Sequence, residues 1–304
     1  MLAASAGFSI AFSPVKWYDG EAGRIALILI HDSFEQSLIA VFGTEAIMIK
    51  IWKVRVPELT GRETRRAYIY VPDEAKKHPE RRYPVLYMFD GHNVFFDSHA
   101  TYGKSWGMLE YMKDTKTPMI IAAVECNHSP DNGRLSEYSP FTFSTKELGR
   151  ITGRGKATME WFVNRFKPEV DRRFPTLPDR EHTFIAGSSM GGLMSLYAVT
   201  EYNHVFSRAA CLSPSVWVAP KRLGKVMSKS GVQPDTVVYM DYGSEELPNH
   251  VDQLRNLEEV MAILLERQVK LDFRIVPDGS HCEASWERQI PFFMQTLLYN
   301  LDMN

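Results

Sequence analysis

The chain has 304 residues, 35 Lys+Arg against 37 Asp+Glu, a formal charge of −2, and 44% hydrophobic and 24% charged residues. These are globular proportions, so collagen-like, coiled-coil and wholly disordered classes are excluded. A near-neutral charge without basic blocks also excludes an electrostatic nucleic-acid footprint. Three widely spaced cysteines, Cys126, Cys211 and Cys282, form no disulfide framework and fit a reducing, cytoplasmic compartment. The longest apolar run near the start, Ile25 to Ile30, is far short of the roughly 18 residues of a membrane helix. Neither nucleic acid nor membrane is therefore expected as a partner, and the oligomeric state is left open.

Residues 1–47 carry no clear period and no motif, and are expected to be an N-terminal extension or a small β element; they lack the basic start of a signal peptide. From residue 48 onward the pattern sharpens into a second unit, 48–304. Lys50 to Pro57 and Arg66 to Val71 alternate as half-exposed strands around a turn at Gly61, which predicts an antiparallel hairpin. Pro84 to Phe89, Met119 to Val124, Phe184 to Ala186 and Val237 to Met240 are short apolar runs, as parallel strands buried on both faces should be. Lys156 to Arg172 and Val251 to Arg267 have helical spacing, with Met159, Val163, Phe166 and Val170 on one face of the first. Leu271 to Val276 alternates and fits a strand near a sheet edge; Ser285 to Leu301 reads as one closing helix. Asp131 to Lys156 is polar and reads as a long surface loop. A hairpin followed by repeated β-α units predicts an α/β fold with a mostly parallel sheet covered by helices on both faces. Ligands in such sheets sit at the carboxyl ends of the strands.

Gly187-Ser188-Ser189-Met190-Gly191 is G-x-S-x-G between a strand and a helix. Chance alone would supply the pattern in about one chain of this length in ten, so its placement carries the argument. A sharp strand-to-helix turn exposes the central hydroxyl, and small residues on either side let the turn pack. Ser189 is the candidate nucleophile, and a serine needs a base. Of nine histidines, His281 follows the last strand and the turn Pro277 to Ser280, and precedes the final helix. The orienting acid should lie between them in chain order. Glu246 is favoured over Glu245 and Asp241, with a Ser–His dyad as the alternative. For the oxyanion, the backbone N–H of Met190 and of His92, on the loop after Pro84 to Phe89, are the expected donors. Phe95, Phe96, Trp106 and Tyr138 could wall a pocket or belong to the core.

Together these residues resemble the putative esterase (esterase D-like) family of α/β hydrolases. The likeness rests on YPVLYMFDGHNVFFD (Tyr83 to Asp97), FIAGSSMGGLMSLYA (Phe184 to Ala198), LSPSVW (Leu212 to Trp217), GSEE (Gly243 to Glu246) and DGSHCEASW (Asp278 to Trp286). The resemblance implies a triad of Ser189, Glu246 and His281, and an oxyanion hole from the His92 and Met190 amides. It also implies a pocket lined by Ser215 and Trp217, and Gly91 and Asn93, on the loop that carries His92, are expected there too. The expected activity is a serine carboxylesterase acting on a small-molecule carboxylic or thio ester through an acyl-enzyme on Ser189. An acyltransferase with the same machinery and a non-catalytic binding protein are the alternatives. Gly153 to Lys156 lacks the first Gly and the Ser/Thr of a phosphate loop. No metal-ligand spacing of His and Cys is evident, so no metal or cofactor is expected.

Overall fold

The computed structural model describes the backbone of residues 11–12, 16–20, 23–31, 36–42, 45–246 and 250–301, and side chains over 49–246 and 251–301. The expected hairpin forms from β5 (Glu45–Arg55) and β6 (Thr64–Tyr70), paired antiparallel from Ile49↔Tyr70 to Arg55↔Thr64. Ahead of them β1 (Ala11–Phe12), β2 (Lys16–Gly20), β3 (Gly23–His31) and β4 (Gln36–Phe42) continue the sheet antiparallel, β4 lying on β5. β5 itself runs across residue 47.

The apolar runs become β7 (Val85–Met88), β8 (Ile120–Val124), β11 (Thr183–Ser188) and β13 (Val237–Gly243). A short hairpin, β9 (Phe143–Thr145) with β10 (Gly149–Ile151), stands apart from the main sheet. β12 (Arg208–Leu212) and β14 (Lys270–Val276) complete the set. The strand order over the last eight is β5-β6-β8-β7-β11-β12-β13-β14, parallel from β8 onward. This is the α/β-hydrolase fold, with β14 at the edge.

Alternation builds two cores, one on each face. Tyr87 and Ile120 point to the side of Trp52, Phe162 and Leu193. Leu86, Met88 and Ile121 point to the side of Trp106, Met112 and Phe293. Phe95, Phe96, Trp106 and Tyr138 are all buried core residues rather than pocket walls.

Three segments differ from the sequence reading. The Lys156 to Arg172 helix is Gly155–Trp161, a π turn over Phe162–Phe166, then Lys167–Arg173. Pro168 has no N–H to return to the preceding turn, and the Lys167 N–H reaches back to the Phe162 carbonyl instead. The closing helix is two, Glu283–Glu287 and Ile290–Leu297, the second starting around Pro291. Asp131 to Lys156 is not a bare loop. It carries the helix Gly133–Glu137 and the β9–β10 hairpin, and buries Tyr138 and Ser139.

Candidate active site

Ser189 is the single residue between β11 and the helix Met190–Glu201, and it sits at φ 56°, ψ −119°. Such a backbone costs a non-glycine residue on the order of 1–3 kcal/mol, so its surroundings must impose it. They do so through three backbone bonds. The Ser189 N–H donates to Leu212 O at 2.9 Å, and its carbonyl accepts from Leu193 at 3.0 Å and from Ser215 at 3.0 Å. Gly187 is required because a Cβ there would lie 2.7 Å from the Gly191 backbone. The Ser189 hydroxyl meets the Ser215 hydroxyl at 3.3 Å.

The loops after the adjacent strands β13 and β14 are tied together. Ser244 N–H donates to Val276 O at 2.9 Å, and Glu245 N–H to Gly279 O at 2.8 Å. This pairing brings Glu246 to His281, whose Nδ1 lies 3.0 Å from Glu246 Oε2. The Glu246 side chain is 1% exposed, that of His281 27%. The other carboxylate oxygen accepts from Gly243 N–H at 2.9 Å and from the Ser213 hydroxyl. Trp286 donates its indole N–H to that same hydroxyl at 3.0 Å and sets its ring edge-on to His281, 5.1 Å between centroids. Glu246 thus engages the Nδ1 side of the imidazole. Of the rival acids, Glu245 is exposed. Asp241 is buried within β13, accepting from Ser213 N–H and the Tyr239 hydroxyl, and burial pushes its carboxyl up to about 7.

After β7 the chain turns through Asp90, at φ 55°, into a 3-10 turn over Gly91–Asn93. A Cβ on Gly91 would lie 2.8 Å from the Val124 nitrogen, so glycine alone lets this loop press against β8. The amides of His92 and Met190 both lie in first turns, where N–H groups have no partner within the helix. Asp90 is gripped by Arg134, Nε to Oδ1 at 2.8 Å and a terminal nitrogen to Oδ2 at 2.7 Å. Burial works to raise the Asp90 carboxyl, but the guanidinium prevails and holds it below the ordinary range. Asn93 donates to Glu283 at 3.2 Å, and burial raises the Glu283 carboxyl.

Ser189 and His281 line one open cavity of about 680 Å³, with His92, Asn93, Arg134 and Trp286 also in its wall. No hydrogen bond joins Ser189 to His281 among the described residues. Catalytic bonds are commonly long before substrate binds. Of the expected pocket residues, Asn93 lines the cavity; Gly91, Ser215 and Trp217 do not. Gly91 is packed on β8, Ser215 is in contact with the Ser189 hydroxyl, and Trp217 sits edge-on to Phe143 at 5.6 Å. Sequence reading missed Arg134, which comes from the helix inside the supposed loop, and Ser213, which links Glu246 to Trp286. It also missed Cys126 and His128, which meet His92 in the cavity wall. Their i, i+2 spacing gives no ligand signal until β7 and β8 are set side by side.

A serine on a strained strand-to-helix elbow, sharing a cavity with a carboxylate-held histidine at the carboxyl end of a mostly parallel sheet, is the arrangement of an α/β-hydrolase enzyme. The profile of the family described as "Putative esterase" matches residues 59–295, and the chain belongs to that family. It is an enzyme acting on ester bonds. Among curated relatives it is 24% identical over 251 residues to the ferri-bacillibactin esterase BesA of Bacillus subtilis (strain 168), covering 75% of this chain and 81% of that protein. It is 25% identical over 170 residues to YbbA of the same organism, covering 54% of this chain and 62% of YbbA, less than two thirds of that protein. An IroE-like serine hydrolase from Shewanella oneidensis shares the fold, with a TM-score of 0.64 at 18% identity over 84% of this chain and 82% of that one.

Proposed function

We propose that the chain is a serine carboxylesterase working through an acyl-enzyme on Ser189. The observation that carries this reading is the single cavity shared by the elbow serine and a histidine held by Glu246. Ser189 Oγ attacks the ester carbonyl while His281 Nε2 takes its proton. Glu246 fixes the imidazole tautomer and stabilises the imidazolium. The N–H groups of Met190 and His92 stabilise the oxyanion as it forms. Collapse expels the alkoxide, which His281 protonates, and water activated by the same imidazole then releases the acid.

BesA is named for ferri-bacillibactin, so that compound heads the substrate series, followed by simple acyl esters. Among the described residues no helix is long and apolar enough to cross a membrane. Cys126, Cys211 and Cys282 are all free thiols, which supports a cytoplasmic setting. The test is Ser189→Ala, assayed on p-nitrophenyl acetate and by fluorophosphonate labelling. Turnover should fall by about 10⁶ and labelling should vanish. Turnover at the parent rate in this variant overturns the reading.

A further inference from the structure

We propose that His92, Cys126 and His128 form a binding site for a divalent ion of the zinc class in the wall of the catalytic cavity. The three ligand atoms lie within 4.8 Å of one another, and Cys126 Sγ is 4.0 Å from His128 Nδ1. The two imidazoles meet edge-on, 4.7 Å between centroids. His92 supplies an independent indication. The residue is 4% exposed, its Nε2 is satisfied by the Thr101 hydroxyl at 3.0 Å, and its Nδ1 is buried without a partner. A buried imidazole nitrogen left without a partner costs free energy, and an ion supplies one.

Two imidazoles and a thiolate suit zinc, cobalt or copper rather than magnesium or calcium, which take oxygen donors. Zinc bonds of roughly 2.0–2.3 Å place tetrahedral ligand atoms roughly 3.5 Å apart. The set must therefore contract by about 1 Å. His128 is exposed, so rotation of its side chain can supply that movement. On binding, the Cys126 thiol gives its proton to solvent, the ion sheds water, and the sulfur–metal and two nitrogen–metal bonds form. The fourth position then opens towards the cavity, which all three side chains line. The nearby Arg134 charge does not bar a cation, because Asp90 grips it with two bonds.

An ion here would also pin the His92 loop and stand in the space a substrate enters, so hydrolysis should slow when the site is filled. That consequence rests on the proposed esterase reading; the site itself does not. The test titrates the reduced full-length protein with Co²⁺ and records its absorption. A sulfur-to-cobalt charge-transfer band is expected. It should be lost in Cys126→Ser and kept in Cys282→Ser and Cys211→Ser, and His128→Ala should bind at least about tenfold more weakly. Circular dichroism checks that each variant is folded. No band at saturating cobalt, or an unchanged band in a folded Cys126→Ser, overturns the site. Zn²⁺ should slow p-nitrophenyl acetate hydrolysis by the parent, and a chelator should restore it. An unslowed parent that shows the cobalt band overturns the inhibition and leaves the site standing. A parent without esterase activity defeats the functional reading, not the site.

Discussion

Asp241 and Glu246 lie five residues apart, yet their surroundings give them opposite work. Glu246 is held by Gly243 N–H and the Ser213 hydroxyl and faces an imidazole. In the proposed mechanism its part is to hold His281. Glu246→Gln keeps the shape but removes the charge that stabilises the imidazolium, so kcat should fall by about 10²–10⁴, with KM little changed. Glu245→Gln, on an exposed side chain, should leave both kcat and KM unchanged. Steady-state kinetics on one ester compares the two, and equal losses would remove Glu246 from its role. Asp241 has no cation in its bonds and is pushed from an ordinary 3.8 up to about 7 by burial. The native state therefore keeps a proton that the unfolded chain releases. Its contribution to stability is complete below pH 3.8 and is lost as pH climbs through about 7. Asp241→Asn mimics the protonated form, so urea midpoints measured from pH 4 to 8 should fall less steeply with pH than those of the parent. Parallel curves for the two proteins would contradict this.

At the scale of elements, the π turn over Phe162–Phe166 decides which side chain faces the core. Simple helical spacing points Val163 inward, but with the wider turn Val163 is only half-buried. Phe162 is instead 1% exposed, its ring within 5.2–6.4 Å of those of Tyr87, Phe89, Trp161 and Phe166. Phe162→Ala should destabilise the fold by about 3–5 kcal/mol, and Val163→Ala by much less. Urea denaturation checks the ranking. The same segment shows where the sequence is readable. Strands β7, β8, β11 and β13 were legible because both their faces are buried, which forces short unbroken apolar runs. The elbow was legible because its geometry tolerates few residue types at Gly187 and Ser189. β12 was not, because Arg208 opens it with a charge. That guanidinium is buried, donating to the Leu297 and Tyr299 carbonyls at 2.8 and 2.6 Å, and no local pattern announces acceptors some 90 residues away. Arg134 was hidden for a similar reason, since its partner Asp90 lies on another loop.

For the whole molecule, the sheet divides the labour between its two ends. Every residue named in the proposed chemistry follows β7, β11, β13 or β14 at a strand carboxyl end, and the cavity wall begins at His92 in chain order. β1 to β4 lie at the far edge, joined to the rest through the pairing of β4 with β5, seven residue pairs from Gln36↔Ile51 to Phe42↔Glu45. We therefore propose that residues 1–47 are an extension and 48–304 the catalytic unit, although β5 spans the division. A chain beginning at residue 43 keeps β5 whole. It should turn over p-nitrophenyl acetate at the rate of the full chain, because nothing in the cavity is removed. It should also behave differently in solution. Loss of β4 leaves the 11-residue β5 as a long edge of unpaired N–H and C=O groups, a template for pairing with another copy. Light scattering should then show a mass that rises with concentration in the shortened chain beyond any rise in the full one. A shortened chain that is folded but inactive would mean that the first strands act on the site through the sheet, and the division at residue 47 would have to be abandoned.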